Sequence, residues 1–224
     1  MKYFVKTPWW LKKIYPSFTW SMPATGKNVY LTFDDGPQEQ ATPWVLNELK
    51  KYNAKATFFC VGKNVTALPD LYKEIIQQGH TTGNHTYNHL NGWKTKDKEY
   101  LEDVARAAAC IDSSLFRPPY GRIGFFQAMN IKAAMKDDSA KIIMWDVLSG
   151  DFDKGITNED CLHNVILNVR PGSIVVFHDS QKAFHHLQYT LPRVLESLSS
   201  KGYSFKSLLN QRSVREKAEE RPAI

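Results

Sequence analysis

Short β-branched and aromatic runs alternate with stretches of helical periodicity along most of the chain, and this alternation is what most constrains the fold. The seven runs are Val29–Phe33, Ala56–Val61, Gly79–Gly83, Leu115–Phe116, Ile142–Trp145, Ile174–Phe177 and Tyr203–Phe205. Most of the stretches between them repeat apolar residues every three or four positions; they are Pro43–Tyr52, Leu71–Gln78, Asp97–Ile111, Phe125–Asp137, Asn158–Asn168 and Leu187–Ser200. Repeated βα units are typical of a parallel sheet covered by helices, so the sequence predicts the α/β class.

Length and composition indicate a single domain. The chain has 224 residues, of which 42% are hydrophobic and 23% charged, which is ordinary for a globular protein. No Pro-, Gly- or Ser-rich linker interrupts the series of βα units. The three cysteines, Cys60, Cys110 and Cys161, are an odd number without a CxxC pair, which excludes a disulfide framework and a cysteine-based zinc site. We expect them to be small buried hydrophobic residues.

The segment before the first predicted strand contains Trp9-Trp10-Leu11-Lys12-Lys13. Aromatic and basic residues together are also what interfacial membrane anchors use. This run is short and is bounded by prolines, so we expect residues 1–28 to form a strap packed on the floor of the domain. The α/β domain itself is predicted over 29–209, and residues 210–224 are predicted to be a charged tail.

The charge pattern excludes little. A net charge of +6 favours anionic partners, but the basic residues are scattered, so a nucleic-acid role rests on net charge alone and is not expected. No apolar run reaches the length of a secretory signal or a transmembrane helix. We therefore expect a cytoplasmic protein without stable membrane insertion.

Chemistry-bearing side chains concentrate where the predicted strands end. Barrel-like α/β enzymes carry their active sites at the C-terminal ends of their strands. Five such ends read Thr32-Phe33-Asp34-Asp35-Gly36-Pro37, Asn84-His85-Thr86-Tyr87-Asn88-His89, Arg117-Pro118-Pro119-Tyr120-Gly121, Trp145–Phe152 and His178-Asp179-Ser180. We expect a cleft there lined by carboxylates, imidazoles and a guanidinium.

Two of these ends suggest a metal site. His85 and His89 are four residues apart, which would place both imidazoles on one face of a helical turn. An HxxxH pair alone is a weak signal, but one carboxylate of the Asp34-Asp35 pair would complete a site with an open position for water. Adjacent residues at a strand end point in different directions, so the other carboxylate could act as a general base. Taken alone, Asp-Asp-Gly-Pro would be read as a turn.

Amide hydrolysis also needs an acid, and His178 is the best candidate. Asp151 could hydrogen-bond its imidazole and keep it charged, and Arg117 could orient Asp34. The stiff loop around Tyr120 could present a backbone N–H to a developing oxyanion. Singly, each of these residues also has an ordinary structural explanation, such as a buried histidine or an ion pair.

In order and in type, these residues resemble the polysaccharide deacetylases of carbohydrate esterase family four, also called NodB-homology domains. The five strand ends look like the family's five motifs, and the resemblance spans roughly Val29 to Phe205. It implies a TIM-like, distorted (β/α)7 barrel, a metal-dependent hydrolase and an N-acetylated glycan as substrate.

The resemblance also implies a role for each site residue. Asp34 is the general base and His178 the general acid. Arg117 would tune Asp34, Asp151 would tune His178, and the Tyr120 backbone N–H would help hold the oxyanion. The implied ligands of zinc or a similar divalent ion are Asp35, His85 and His89.

Three positions depart from the family pattern. Leu148 stands where the fourth motif commonly has its first Asp, and Phe152 stands at that motif's Trp. Val176 replaces a leucine that usually lines the acetyl pocket. None of these changes removes a metal ligand or a proton-transfer group, so they concern the substrate rather than the reaction.

Two other functions fit the same sequence. A deacylase or amidohydrolase acting on a small non-sugar amide would explain the missing secretion signal, because wall polymers lie outside the cytoplasm. A non-catalytic glycan-binding module would keep the fold, although no ligand is lost here. Trp93 and Trp44 could stack on sugar rings, but aromatic packing is the commoner use of such residues.

Overall fold

The computed structural model describes residues 3–209, and the predicted charged tail over 210–224 lies outside the described residues. The strands of the described part are β1 (Asn28–Asp34), β2 (Thr57–Cys60), β3 (Thr81–Asn84), β4 (Leu115–Phe116), β5 (Lys141–Ile142), β6 (Val147–Leu148), β7 (Ile174–His178) and β8 (Ser204–Phe205). Its helices are α1 (Trp9–Ile14), α2 (Ala41–Lys51), α3 (Gly62–Ala67), α4 (Pro69–Gln77), α5 (Asp97–Ala108), α6 (Phe125–Met129), α7 (Ile131–Met135), α8 (Asn158–Ile166) and α9 (Phe184–Ser200), with a 3₁₀ turn at Pro119–Gly121.

Seven parallel strands curl into an open, distorted barrel in the order β5-β4-β3-β2-β1-β7-β6, and β8 pairs with the start of β1. The predicted α/β class and distorted barrel are therefore confirmed. Because parallel strands all end at one rim, the polar strand ends of the sequence meet there.

Side chains along each strand point alternately to the two faces of the sheet. On β1, Val29, Leu31 and Phe33 belong to the large core under the helices. Thr32, between Leu31 and Phe33, and Asp34, after Phe33, are also buried but point the other way, into the barrel, where they meet a buried arginine. The barrel interior is thus polar at the C-terminal ends of its strands.

Two predicted elements differ from the structure. The predicted strand Ile142–Trp145 ends early, because Thr19 of the N-terminal segment exchanges backbone hydrogen bonds with Ile142 and Met144 at 2.9 and 2.7 Å. The chain then forms a separate strand, β6, so Asp151 follows β6 rather than β5. The predicted helix Phe125–Asp137 is broken at Asn130, which separates α6 from α7.

The N-terminal segment lies along the seam between the outermost strands, β5 and β6. Isolated bridges join Lys6 to Val147, Thr19 to Ile143 and Ser21 to Ser173. Asp146, which is 4% exposed and directly precedes β6, forms ion pairs with Lys6 and Lys12. Helix α1 consequently lies near the N-terminal ends of the strands. Across residues 3–209, no helix is both long enough and apolar enough to cross a bilayer.

Candidate active site

The register of β1 and β7 brings the two predicted proton-transfer residues together. Asp34 is the register partner of His178, and each is the last residue of its strand. Partners in neighbouring strands lie about 4.8 Å apart and share a face of the sheet. The base and acid candidates therefore stand side by side at the rim.

Asp34 is fixed by a guanidinium that is itself fixed. Arg117 is completely buried, and its Nη1 donates to Asp34 Oδ1 and to Thr32 Oγ1, both at 2.7 Å. Its Nε and Nη2 donate to the backbone carbonyls of Ile143 and Met144 at 3.2 and 3.0 Å. A guanidinium with this many partners has one orientation, so the position of Asp34 Oδ1 is held as well.

Asp35, His85 and His89 converge on one point. The Nε2 atoms of His85 and His89 lie 3.7 and 3.1 Å from Asp35 Oδ1, and the candidate ligand atoms all lie within 4.8 Å of one another. Ligands at 2.0–2.2 Å around a tetrahedral ion are about 3.3 Å apart, so the spacing suits one shared ion.

The donor atoms also fit a divalent metal. His85 Nδ1 lies 2.8 Å from the Arg117 carbonyl, which can only accept, so the proton is on Nδ1 and Nε2 keeps its lone pair. Burial lowers the pKa of His85 to about 4, partly opposed by Asp34, so the ring is neutral at pH 7. Asp35 Oδ1 is buried and has no hydrogen-bond partner within residues 3–209. An oxygen and two imidazole nitrogens so arranged could hold a zinc-like ion.

The spacing of the histidine pair predicts a helical turn, but the pair does not lie on one. Residues 85–89 form a loop in which Thr86 and His89 have φ values of 63° and 58°, yet the two rings are 5.1 Å apart. Asp35 has a φ of 79°, which turns it away from the direction of β1. Non-glycine residues in this region are strained, and such strain concentrates at functional sites.

His178 is held by a buried carboxylate. Its Nδ1 lies 2.7 Å from Asp151 Oδ1, and its backbone N–H donates to Asp151 Oδ2, also at 2.7 Å. Asp151 is fully buried. Burial disfavours the charged imidazole, but the attraction and hydrogen bond of Asp151, with smaller effects of Asp35 and Asp34, raise the pKa of His178 to about 9. His178 is therefore protonated at neutral pH and can donate a proton.

Tyr120 completes the rim on the side of β4. It has a φ of 59°, is 62% exposed, and its ring packs edge-on against His89 at 4.7 Å. All eight predicted catalytic and metal-binding residues thus lie at one end of the barrel: Asp34, Asp35, His85, His89, Arg117, Tyr120, Asp151 and His178.

Comparison with known proteins agrees with this geometry. Residues 21–136, just over half of the chain, match the family model described as Polysaccharide deacetylase. A peptidoglycan-N-acetylglucosamine deacetylase of Bacillus cereus is 34% identical over 208 residues, which cover 89% of this chain and 72% of that protein. The chain belongs to the polysaccharide deacetylase family.

Two solved structures show how far the fold is shared. A peptidoglycan N-acetylglucosamine deacetylase in complex with 4-naphthalen-1-yl-N-oxidanyl-benzamide has a TM-score of 0.79 and 32% identity, covering 90% of this chain and 95% of that one. A protein of Bacillus anthracis described as a CE4 family pseudoenzyme has a TM-score of 0.71 and 25% identity, covering 84% and 66%. The family thus contains both active and inactive members.

The departures from the deacetylase pattern lie close together. Leu148 on β6 is the register partner of Val176 on β7, and both are buried. Leu148 thus lies beside the smaller Val176. Phe152 packs edge-on against His178 at 5.1 Å, and Tyr3 of the N-terminal segment packs against Phe152 at 5.4 Å.

Asp103 is a site residue that sequence reasoning missed. One of its oxygens accepts hydrogen bonds from the backbone N–H groups of Tyr87 and Asn88 at 2.8 and 2.9 Å, and the other accepts from the Asn88 side chain. This buried carboxylate of α5 therefore fixes the loop between the two histidines. A signal was available, because Asp103 shares the apolar face of its helix with Tyr100, Val104 and Ala107.

Asp179 lies in the strand end that contains His178, and the sequence predicts no role for it. It is fully buried, accepts a hydrogen bond from Thr42 Oγ1, and its backbone N–H donates to the Asp34 carbonyl at 3.1 Å. A Cβ atom on Gly36 would lie 2.1 Å from Asp179 Oδ2, so only glycine fits there. Asp179 thus supports the loop that carries Asp34 and Asp35.

Proposed function

We propose that this polysaccharide deacetylase hydrolyses the N-acetyl amide bond of amino sugars in a glycan such as peptidoglycan or a chitin-like chain. One observation carries the proposal: Asp34 and His178 are register partners, each held by its own buried partner, beside three metal-ligating side chains. Membership of the family does not by itself carry activity, because one structural relative is described as a pseudoenzyme.

The ligand set supports a divalent metal ion. Asp35, His85 and His89 would hold a divalent ion, most simply zinc. When bound, such an ion supplies Lewis-acid activation of the acetyl carbonyl and of water.

The residues around that position divide the proton transfers. Asp34, oriented by Arg117, takes a proton from the attacking water. His178, kept protonated by Asp151, donates a proton to the departing amine nitrogen. The Tyr120 backbone N–H donates to the carbonyl oxygen of the amide as charge develops on it. The reaction releases acetate and leaves a free amino sugar.

The test is acetate release from a substrate panel by protein reconstituted with zinc. The panel contains N-acetylglucosamine oligomers, peptidoglycan and small acetamides, so that a deacylase of non-sugar amides would also be detected. We expect turnover of at least one glycan. Asp34→Asn and His178→Ala should each lower kcat by about 10²–10⁴-fold, the usual contribution of a general acid or base.

Measuring the zinc content of each variant distinguishes loss of a proton-transfer group from loss of the folded site. Asp34→Asn should retain stoichiometric zinc, whereas Asp35→Asn should lose it along with activity. Unchanged acetate release by either Asp34→Asn or His178→Ala would show that the assigned roles are wrong. Stoichiometric metal and glycan binding without turnover would instead identify a binding module.

A further inference from the structure

Trp93 is an exposed aromatic ring that is nevertheless rigidly held. It is 65% exposed, but its Nε1 donates to the Ile123 carbonyl at 3.1 Å. The Arg122 guanidinium lies over the ring at 5.0 Å from its centroid. A hydrogen-bonded edge and one covered face fix the ring in place, and its remaining exposed area faces solvent. A large apolar ring ordered before binding loses little entropy when a ligand packs on it.

Trp93 lies on a loop that is joined to the rim carrying the candidate active site. Trp93 follows His89 by four residues, which limits their separation to about 14 Å along an extended chain. The Gly92 N–H donates to the Arg122 carbonyl at 3.2 Å, so the loop after β3 is tied to the loop after β4. That second loop also carries Tyr120, which touches His89 and is 62% exposed. The two exposed rings therefore lie on joined loops near His89, one of the candidate metal ligands.

The other candidate tryptophan is used differently. Trp44 is half-buried and packs edge-on against Phe184 at 5.6 Å, within the core under the helices. Trp9 is as exposed as Trp93, at 69%, but it belongs to α1, near the opposite ends of the strands. Position relative to the site thus distinguishes Trp93 from Trp9 and Trp44.

The chemistry of the surface suits a sugar ring. A pyranose has an apolar C–H face and a hydroxyl edge, and here an apolar ring lies next to the guanidinium of Arg122. We propose that Trp93 is the stacking platform of a subsite for a further sugar of the glycan, one or two units from the sugar that loses its acetyl group. This inference rests on the proposed function and adds that the enzyme recognises an extended chain.

The experiment compares KM and kcat for N-acetylglucosamine oligomers of one to five units. Trp93→Ala should raise KM for the tetramer and pentamer by about five- to tenfold, the effect of one stacking contact, and leave kcat within about twofold. KM for the shortest oligomer that is turned over should not change. Trp93→Phe, which keeps a ring, should recover most of the loss. The matched control is Trp9→Ala, which should behave as wild type.

Binding without turnover separates this inference from the proposed function. Calorimetric titration of the pentamer into zinc-loaded Asp34→Asn protein, with and without Trp93→Ala, reports the subsite directly. If the wild type releases no acetate but Trp93→Ala still weakens pentamer binding, the subsite stands and the proposed hydrolysis fails. If the wild type is active and Trp93→Ala changes neither KM nor pentamer affinity, the subsite is refuted.

A lipid surface is the other occupant that exposed aromatic and basic residues could fit. Cosedimentation with vesicles containing phosphatidylglycerol tests it. Loss of vesicle binding in Trp93→Ala, with an unchanged KM for every oligomer, would overturn the sugar subsite and identify a membrane contact.

Discussion

At the scale of single residues, the charge of His178 is decided by one neighbour. Burial favours the neutral imidazole, and the Asp151 carboxylate reverses that preference through a 2.7 Å hydrogen bond and its negative charge. Asp34 likewise has a charged neighbour, Arg117, whose Nη1 donates to its Oδ1 at 2.7 Å. These residues could be found from the sequence because they stand at strand ends. Asp103 was missed because it lies within helix α5 rather than at a strand end, where its signal is a carboxylate on the buried face of the helix. The sequence predicts no role for Asp179 because its carboxylate accepts a hydrogen bond from Thr42, which is distant in the sequence.

The pH dependence of catalysis should report this pairing. An acid must be protonated, so kcat/KM should fall as pH rises through the His178 pKa of about 9. Asp151→Asn keeps the shape but removes the charge, so the alkaline limb should move to lower pH by about 1–2 units. Profiles of kcat/KM from pH 6 to 10 would show the shift.

The control for this change is Asp153→Asn, which removes an acid two residues away that hydrogen-bonds Tyr3 rather than His178. Its alkaline limb should coincide with that of the wild type. If Asp151→Asn also leaves the limb unmoved, His178 is not the acid that the profile reports.

At the scale of elements, the site depends on how helix α5 meets the loop after β3. The spacing of His85 and His89 indicated a shared ligand position, and the rings do converge, but a loop with two positive φ angles brings them together instead of a helical turn. Sequence periodicity cannot show this, because the loop is shaped by the distant Asp103. For the same reason, β6 was missed as a separate strand: the preceding residues pair with Thr19.

Asp103→Ala should therefore weaken metal binding without touching a ligand. Loss of the contacts to Tyr87 and Asn88 would free the histidine loop, and we expect zinc affinity to fall by about 10–100-fold, as for other residues that support ligands. Competition with a chelator measures the affinity.

Two further variants keep the Asp103 test informative. Glu102→Ala changes an exposed acid on the same helix and should bind zinc normally. Asp103→Asn keeps an acceptor oxygen for the loop and should recover part of the affinity. Wild-type affinity in a folded Asp103→Ala protein would contradict the positioning role.

At the scale of the whole molecule, the barrel is open and its seam is covered by the N-terminal segment. The sequence shows seven βα-like units as alternating runs, so the α/β class and the position of the candidate site at the strand ends could be predicted. Which strands would be outermost could not, because the strand order depends on pairing between residues far apart in the sequence, such as Thr32 on β1 and Val176 on β7. Asp146 is a buried carboxylate with two lysine partners and Ser173.

Lys12→Met should lower the free energy of unfolding by about 1–2 kcal/mol, because it removes one partner of a buried charge while Lys6 remains. For a chain of this size that corresponds to a loss of about 2–8 °C in Tm. Denaturant or thermal unfolding of the two proteins measures the difference.

The adjacent Lys13 offers the control, since its ammonium lies over the Trp9 ring at 4.9 Å rather than at Asp146. Lys13→Met should cost clearly less than Lys12→Met. Equal losses would mean that the ion pair with Asp146 contributes no more than a surface contact.

The covered seam also has a consequence for folding. The N-terminal segment is synthesised before the strands that it covers and can dock only after residues 142–148 have been made and the sheet around them has formed, so its contacts raise the contact order of the protein. Until it docks, both outermost strands present unpaired backbone groups to solvent. The interval before docking is therefore when newly made chains are most prone to pair with one another edge to edge, and slowing that docking would favour aggregation even where the native state is stable.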